Sequence, residues 1–204
     1  MKEIEAIIFD FGGVILDIDY NLTSKAFEHL GVTDFEERYS QQNADSLFKN
    51  LEEGKITEEE FFAAFRKSTG TILTDEQVRD AWNAMLLCYR PQALALVQQI
   101  KHKYKCYILS NTNSIHVKKF SEMYRQQLGT GSMRDHFKKV YYSHEIGHRK
   151  PGKEAYEWVI RDNNLEPGHT LFIDDSVQNL VPARELGLQT IWLQKGMEIQ
   201  GLGL

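Results

Sequence analysis

Short, wholly apolar runs alternate along this chain with longer stretches whose apolar positions recur every three or four residues. The first run, Ile7-Ile8-Phe9, leads into Asp10 and then Gly12-Gly13. An apolar run with no polar alternation predicts a strand buried on both faces, as in a parallel sheet. Cys106 to Leu109, Val140 to Ser143, Leu171 to Ile173 and Thr190 to Leu193 predict further strands. From Arg90-Pro91, which opens a helix, strands and helices alternate to the last strand. That order predicts an α/β fold, a Rossmann-like three-layer core around a central parallel sheet.

The stretch between about Asp17 and Cys88 carries no strong strand pattern and reads as helical. Leu22, Phe27 and Leu30 mark a first helix closed by Gly31, and Phe35, Tyr39, Leu47, Phe48 and Leu51 a second helical region ending at Gly54. Thr57-Glu58-Glu59-Glu60 is a capping-box sequence ahead of Phe61, Phe62 and Phe65. Thr74-Asp75-Glu76-Gln77 opens a helix carrying Val78, Ala81, Trp82, Met85 and Leu86. Aromatic stripes at helical spacing are bundle core before they are anything else. The expected division is a core of residues 1–16 and 89–204 and a helical insert of residues 17–88.

Several predicted strands end in residues able to do chemistry. Asp10 follows the first, Ser110-Asn111-Thr112 the second and Asp174-Asp175 another, while the loop after Val140 to Ser143 carries Arg149-Lys150-Pro151. Any one of these has an ordinary explanation as a turn, a helix cap or a solvated loop. In a right-handed parallel sheet, however, they fall along one edge, where such sheets bind ligands. A nucleophilic carboxylate, a hydroxyl and amide pair, a lysine and two further acids suit a divalent metal and a phosphate. Asn179 is either a surface helix residue or a partner of the acid pair. His144 and His148 are separated by Gly147 and make a poor zinc pair, and His116 reads as a helix-surface residue.

These motifs, in this order, resemble the haloacid dehalogenase-like (HAD) hydrolases, most of which are phosphatases: Asp10-Phe11-Gly12-Gly13-Val14, Ser110-Asn111, Lys150-Pro151, and Asp174-Asp175 followed by Asn179. Leu16-Asp17-Ile18-Asp19, Ser110-Asn111-Thr112-Asn113 and Arg149-Lys150-Pro151 look like the bacterial α-D-glucose-1-phosphate phosphatase branch. The resemblance implies that the helical insert is a small cap. It also implies Mg²⁺ held by the Asp10 side chain, the Gly12 carbonyl and the pair Asp174 and Asp175. Asp10 would form an aspartyl-phosphate, Ser110 and Asn111 would bind the phosphoryl oxygens, and Lys150 would restrain Asp10. A hard cation with oxygen ligands fits the charge problem of a carboxylate attacking a dianionic ester. The substrate implied is a small phosphate monoester, such as a hexose 1-phosphate.

The chain departs from that pattern at Gly12, where most such phosphatases carry a second aspartate as general acid and base. Asp17, Asp19, a cap residue or water could substitute, and Asp17 is the favoured candidate. A 2-haloacid dehalogenase also lacks that aspartate, but needs no metal and has no use for two acids beside an anionic substrate. A catalytically weak HAD-like binding protein is the other alternative. A receiver-type signalling module is excluded, because its acid pair comes early in the chain. Lys and Arg number 24 against 29 Asp and Glu in 204 residues, a net charge of −5 that argues against a nucleic-acid partner. No apolar run reaches membrane-spanning length. Two cysteines, Cys88 and Cys106, with a strand starting almost at the N-terminus and hence no signal peptide expected, point to a cytoplasmic protein.

Overall fold

A computed structural model describes residues 3–39 and 44–204. Its strands are β1 (Ala6–Phe9), β2 (Leu16–Ile18), β3 (Leu86–Tyr89), β4 (Lys105–Ser110), β5 (Lys139–Tyr142), β6 (Thr170–Asp174) and β7 (Gln189–Trp192). Its α-helices are α1 (Tyr20–His29), α2 (Phe35–Arg38), α3 (Ser46–Glu52), α4 (Glu58–Thr69), α5 (Asp75–Asn83), α6 (Pro91–Ile100), α7 (Ser114–Leu128), α8 (Ser143–Ile146), α9 (Lys153–Asn163) and α10 (Val177–Glu185).

The apolar runs form one five-stranded sheet in the order β5-β4-β1-β6-β7, with every pairing parallel. Alternate residues face opposite layers, as the pleat requires. Ile7, Phe9, Ile108, Val140 and Ile173 pack with α6 and α7 residues such as Val97 and Phe120. Ile8, Tyr107, Leu109, Tyr141 and Phe172 pack with Tyr156 and Val159 of α9 and Leu180 of α10. The sheet is therefore covered on both faces, which is why its strands read as continuous apolar runs. Among the described residues, no helix is long and apolar enough to cross a membrane.

Helices α1 to α5 build a second core of their own. Phe27, Phe35, Phe48, Phe61, Phe65 and Trp82 are all buried there in ring contact. At roughly 1.5–3 kcal/mol for each large apolar side chain removed from water, such a cluster can hold short helices together. The expected capping box at Thr57 and Glu60 is present, and Thr74 and Gln77 form another. Residues 40–43, within the second helical region expected from sequence, lie outside the described residues.

The insert is not wholly helical, contrary to expectation. The chain leaves the core through β2 and returns through β3, and the two pair antiparallel with Asp17 opposite Cys88. Helix α5 ends at Asn83, so Leu86 belongs to β3. These strands are three and four residues long, too short to print an alternation that sequence reading could detect.

Candidate active site

The carboxyl ends of β1, β4 and β6 open into one cavity lined by Asp10, Gly12, Ser110, Asn111, Lys150 and Asp175 from the core and by Tyr20, Tyr39 and Glu52 from the helical insert. Asp10 is fixed just beyond β1 by its backbone N–H, which donates to Ile173 O at 2.8 Å. Lys150 is 1 % exposed, and its Nζ donates at 2.7 Å both to Asp10 Oδ1 and to Asp174 Oδ2. Asn179 donates to both oxygens of Asp174, at 3.1 and 3.0 Å, and Ser176 N donates to Asp174 Oδ1 at 2.7 Å. Asn179 is thus a buried partner of the acid pair, not a surface residue.

Three carboxylates converge at the floor of the cavity. One carboxylate oxygen from each of Asp10, Asp174 and Asp175 lies within 4.8 Å of the others. Asp10 and Asp174 share the Lys150 ammonium, and the carboxylate oxygens gathered here are the hard donors that a divalent cation takes. Burial pushes the Asp10 carboxyl up to about 8; Lys150 opposes the rise, while Asp174 and Asp175 add to it. Burial works against the Lys150 ammonium, yet Asp10 and Asp174 outweigh it and hold its pKa above the ordinary value. A cluster of hard oxygen donors that resists full ionisation without further positive charge fits a bound Mg²⁺.

Gly13 shows how closely the pieces fit. It has φ of +73°, and a Cβ there would come within 2.4 Å of Asp175 Oδ2. A glycine is therefore required both by the backbone conformation and by the acid beside it.

Some expected residues take different tasks. The Asn111 carboxamide is bonded to the Lys150 backbone on both sides, Nδ2 donating to Lys150 O at 2.7 Å and Oδ1 accepting from Lys150 N at 2.8 Å. It fastens the lysine loop to the end of β4. Ser110 is buried at the cavity wall. Asp17 is not brought to the site. Its Oδ1 accepts from Arg90 Nε at 2.6 Å, Cys88 Sγ donates to its Oδ2, and it lines a separate depression beside Cys88 and Arg90. At position 12 a Cβ would meet only the tip of the Ile18 side chain, Cδ1 at 2.8 Å, which a rotation of that side chain relieves.

His116 is buried, contrary to the surface position expected. Its ring packs on Trp82 with centroids 4.6 Å apart, and its Nδ1 pairs with Asn83 Oδ1 at 3.0 Å. Sequence reading also gave no role to Glu52, Tyr39 and Arg149. Tyr39 OH donates to Glu52 Oε1 at 2.7 Å, and Arg149 Nε donates to Oε2 at 2.8 Å. One signal was available: Glu52 sits four residues after Phe48, on the apolar stripe of α3, where a charge is out of place.

Comparison with known proteins agrees with this geometry. Residues 4–187 match the haloacid dehalogenase-like hydrolases. The D-ribitol-5-phosphate phosphatase of Bacteroides thetaiotaomicron is 33% identical over 195 residues, spanning 96% of this chain and 94% of that protein. A HAD family enzyme from the same organism, solved as a single-residue variant with magnesium and inorganic phosphate, superimposes with a TM-score of 0.92 at 32% identity over 98% of this chain and 99% of that one. An L-2-haloacid dehalogenase shares the fold at a TM-score of 0.63 and 20% identity, over 94% of this chain and 84% of its own. With the motifs, the sheet order and the acid cluster all in agreement, the chain belongs to the haloacid dehalogenase-like hydrolases.

Proposed function

We propose that this protein is a Mg²⁺-dependent phosphatase of small phosphate monoesters, acting through an aspartyl-phosphate on Asp10. The observation that carries the reading is the buried triangle of Asp10, Lys150 and Asp174 with Asp175 beside it. A dehalogenase would have no use for the second and third acids. The side chains of Asp10, Asp174 and Asp175 and the Gly12 carbonyl would hold the ion. When bound, it screens the phosphoryl charge from the carboxylates.

Asp10 Oδ attacks phosphorus in line as the bond to the leaving alcohol breaks, and water then hydrolyses the acyl phosphate. Lys150 holds Asp10 in the attacking orientation and offsets charge on the transferring group. Ser110 is the hydroxyl donor to a phosphoryl oxygen, and Asn111 acts through the Lys150 loop it fastens. Residues 17–88 serve as the cap over a core of residues 1–16 and 89–204. The free cysteines, exposed Cys88 and buried Cys106, support a reducing, cytoplasmic setting.

Two substrate types deserve direct comparison. A hexose 1-phosphate has an anomeric oxygen that leaves comparatively easily, which suits a site with Gly12 where an acid would stand. A pentitol 5-phosphate is the substrate named for the Bacteroides relative. Both are monoesters of polyhydroxy alcohols.

The test is release of phosphate from a panel of sugar, polyol and aryl phosphates, with Mg²⁺ or with chelator, using wild type and Asp10→Asn. Hydrolysis that needs Mg²⁺ and falls to background in Asp10→Asn is expected. Near-normal turnover by Asp10→Asn would end the mechanism, and full phosphate release in chelator would end the Mg²⁺ requirement.

A further inference from the structure

Where the roof of the cavity meets the core, Glu52 and Arg149 form a charged pair that phosphoryl transfer does not use. Glu52, at the end of α3, has a side chain 2 % exposed, yet it lines the same cavity as Asp10. Its two oxygens accept from Tyr39 OH and Arg149 Nε. Burying a carboxylate and a guanidinium costs several kcal/mol of lost hydration per ion, and a well-packed apolar pair often serves stability as well. A buried pair that faces a cavity therefore calls for a task beyond holding two segments together.

We propose that Tyr39, Glu52 and Arg149 bind the hydroxyl groups of the substrate's alcohol, and so restrict this enzyme to phosphate esters of uncharged polyhydroxy compounds. The inference rests on the phosphatase reading above. A carboxylate offers about four lone-pair sites, of which two are taken among the described residues. A guanidinium carries five N–H donors, so Arg149 keeps others once Nε is bonded to Glu52. Acceptors and donors thus stand side by side, which is what a hydroxyl group, donor and acceptor at once, requires.

Position and charge point the same way. In-line attack by Asp10 from the floor drives the leaving alcohol toward the roof, where Tyr39 and Glu52 stand and Arg149 meets them from the Lys150 loop. Both cations among the described lining residues are paired, Lys150 with Asp10 and Asp174 and Arg149 with Glu52. A second phosphate or carboxylate on the substrate would find no uncommitted cation there and would face the Glu52 charge. Ile18, Met85 and Leu86 supply apolar wall for the carbon skeleton.

The experiment compares kcat/KM for a pentitol phosphate with that for phenyl phosphate, which has no hydroxyl groups, in the full-length wild type, Glu52→Gln and Tyr39→Phe. In Glu52→Gln the ratio should fall at least about tenfold, the size of a lost hydrogen bond to a charged group, mainly through KM for the pentitol phosphate. Tyr39→Phe, which leaves the ion pair in place, should lower it less. Protection is a second readout: a free pentitol should slow wild-type turnover of phenyl phosphate and lose that effect in Glu52→Gln. An unchanged ratio, whether both rates drop together or neither moves, would overturn the proposal and leave the triad as a structural tie between roof and floor. Should wild type hydrolyse neither ester, the phosphatase reading itself fails, a distinct result.

Discussion

At the floor of the cavity, Lys150 is held between Asp10 and Asp174 at the carboxyl ends of a parallel sheet. At the roof, Tyr39 and Glu52 hang from a bundle whose interior is a cluster of phenylalanine rings around Trp82. The floor owes its precision to backbone. Asp10 and Asp174 stand at or just beyond neighbouring, fully paired strands, so their spacing follows from strand separation and is shared by any chain with that topology. The roof depends on how one packed body docks on another. Its reach into the cavity rests on a few contacts, chiefly Glu52 with Arg149, Glu58 with Lys118, and His116 against Trp82 and Asn83. Chemistry common to a fold sits on the first kind of structure, and selectivity sits more naturally on the second.

The sharpest way to break that contrast is at the floor. Asp175→Ala removes one oxygen donor and one charge from the acid cluster while leaving the Lys150 pairs and the sheet in place. The Mg²⁺ concentration giving half-maximal turnover should rise by more than the about 10–100-fold that loss of a mere supporting partner costs a metal site. Calorimetry with Mg²⁺ alone should show the same weakening without substrate. An unchanged Mg²⁺ requirement would remove Asp175 from the metal site.

The contrast also explains what the sequence made legible. Asp10, Ser110, Lys150 and Asp174-Asp175 could be brought together on paper, because a right-handed parallel sheet allows their strand ends only one common edge. Asn179, one turn beyond the acids, stays open from sequence between a surface place and a partner of the acids, and its bonds to Asp174 decide it. The roof had no such rule. Glu52 stands out only as a charge on the apolar stripe of α3, which does not say what it faces, and Arg149 reads as part of a loop. His116, at the start of α7, reads as exposed until α5 is laid over it. Asp17 was misplaced for the same reason: β2 and β3 pair only across the whole insert, and that pairing turns its side chain toward Arg90 and away from Asp10.

A smaller effect is expected where floor and roof meet. Burial holds the His116 imidazole down to about 3, against about 6.5 in an unfolded chain. Between those values the unfolded chain binds the extra proton, so stability present above about pH 6.5 is lost as pH falls toward 3. The loss should reach up to about 1.4 kcal/mol per pH unit. His116→Asn keeps a polar group near Asn83 and removes the titration. It should be less stable than wild type at pH 7, having lost the packing on Trp82, but its urea midpoint should decline more gently between pH 6 and 4. Parallel declines would mean that His116 is hydrated or protonated in the folded protein, and that the joint is looser than the ring contact implies.

The smallest effect is expected at Asp17, on the strand through which the chain enters the insert. Its ion pair with Arg90 is partly exposed, with side-chain accessibilities of 27% and 36% for Arg90 and Asp17, and pairs of that kind contribute about 0.2–1 kcal/mol. Arg90 also donates to Gly13 O at 2.7 Å, so it remains anchored when Asp17 loses its charge. Asp17→Asn should therefore shift stability slightly and change kcat/KM by no more than about threefold, equally for aryl and alkyl phosphates. A residue that protonates the leaving alcohol behaves otherwise. Its loss costs on the order of 10²–10⁴-fold, and an aryl ester, which leaves as a stabilised phenolate, is largely spared. A large loss confined to alkyl phosphates would therefore put Asp17 back into the chemistry. It would require that carboxylate to swing from Arg90 to the leaving oxygen during turnover, and would make the roof a participant in catalysis as well as in selection.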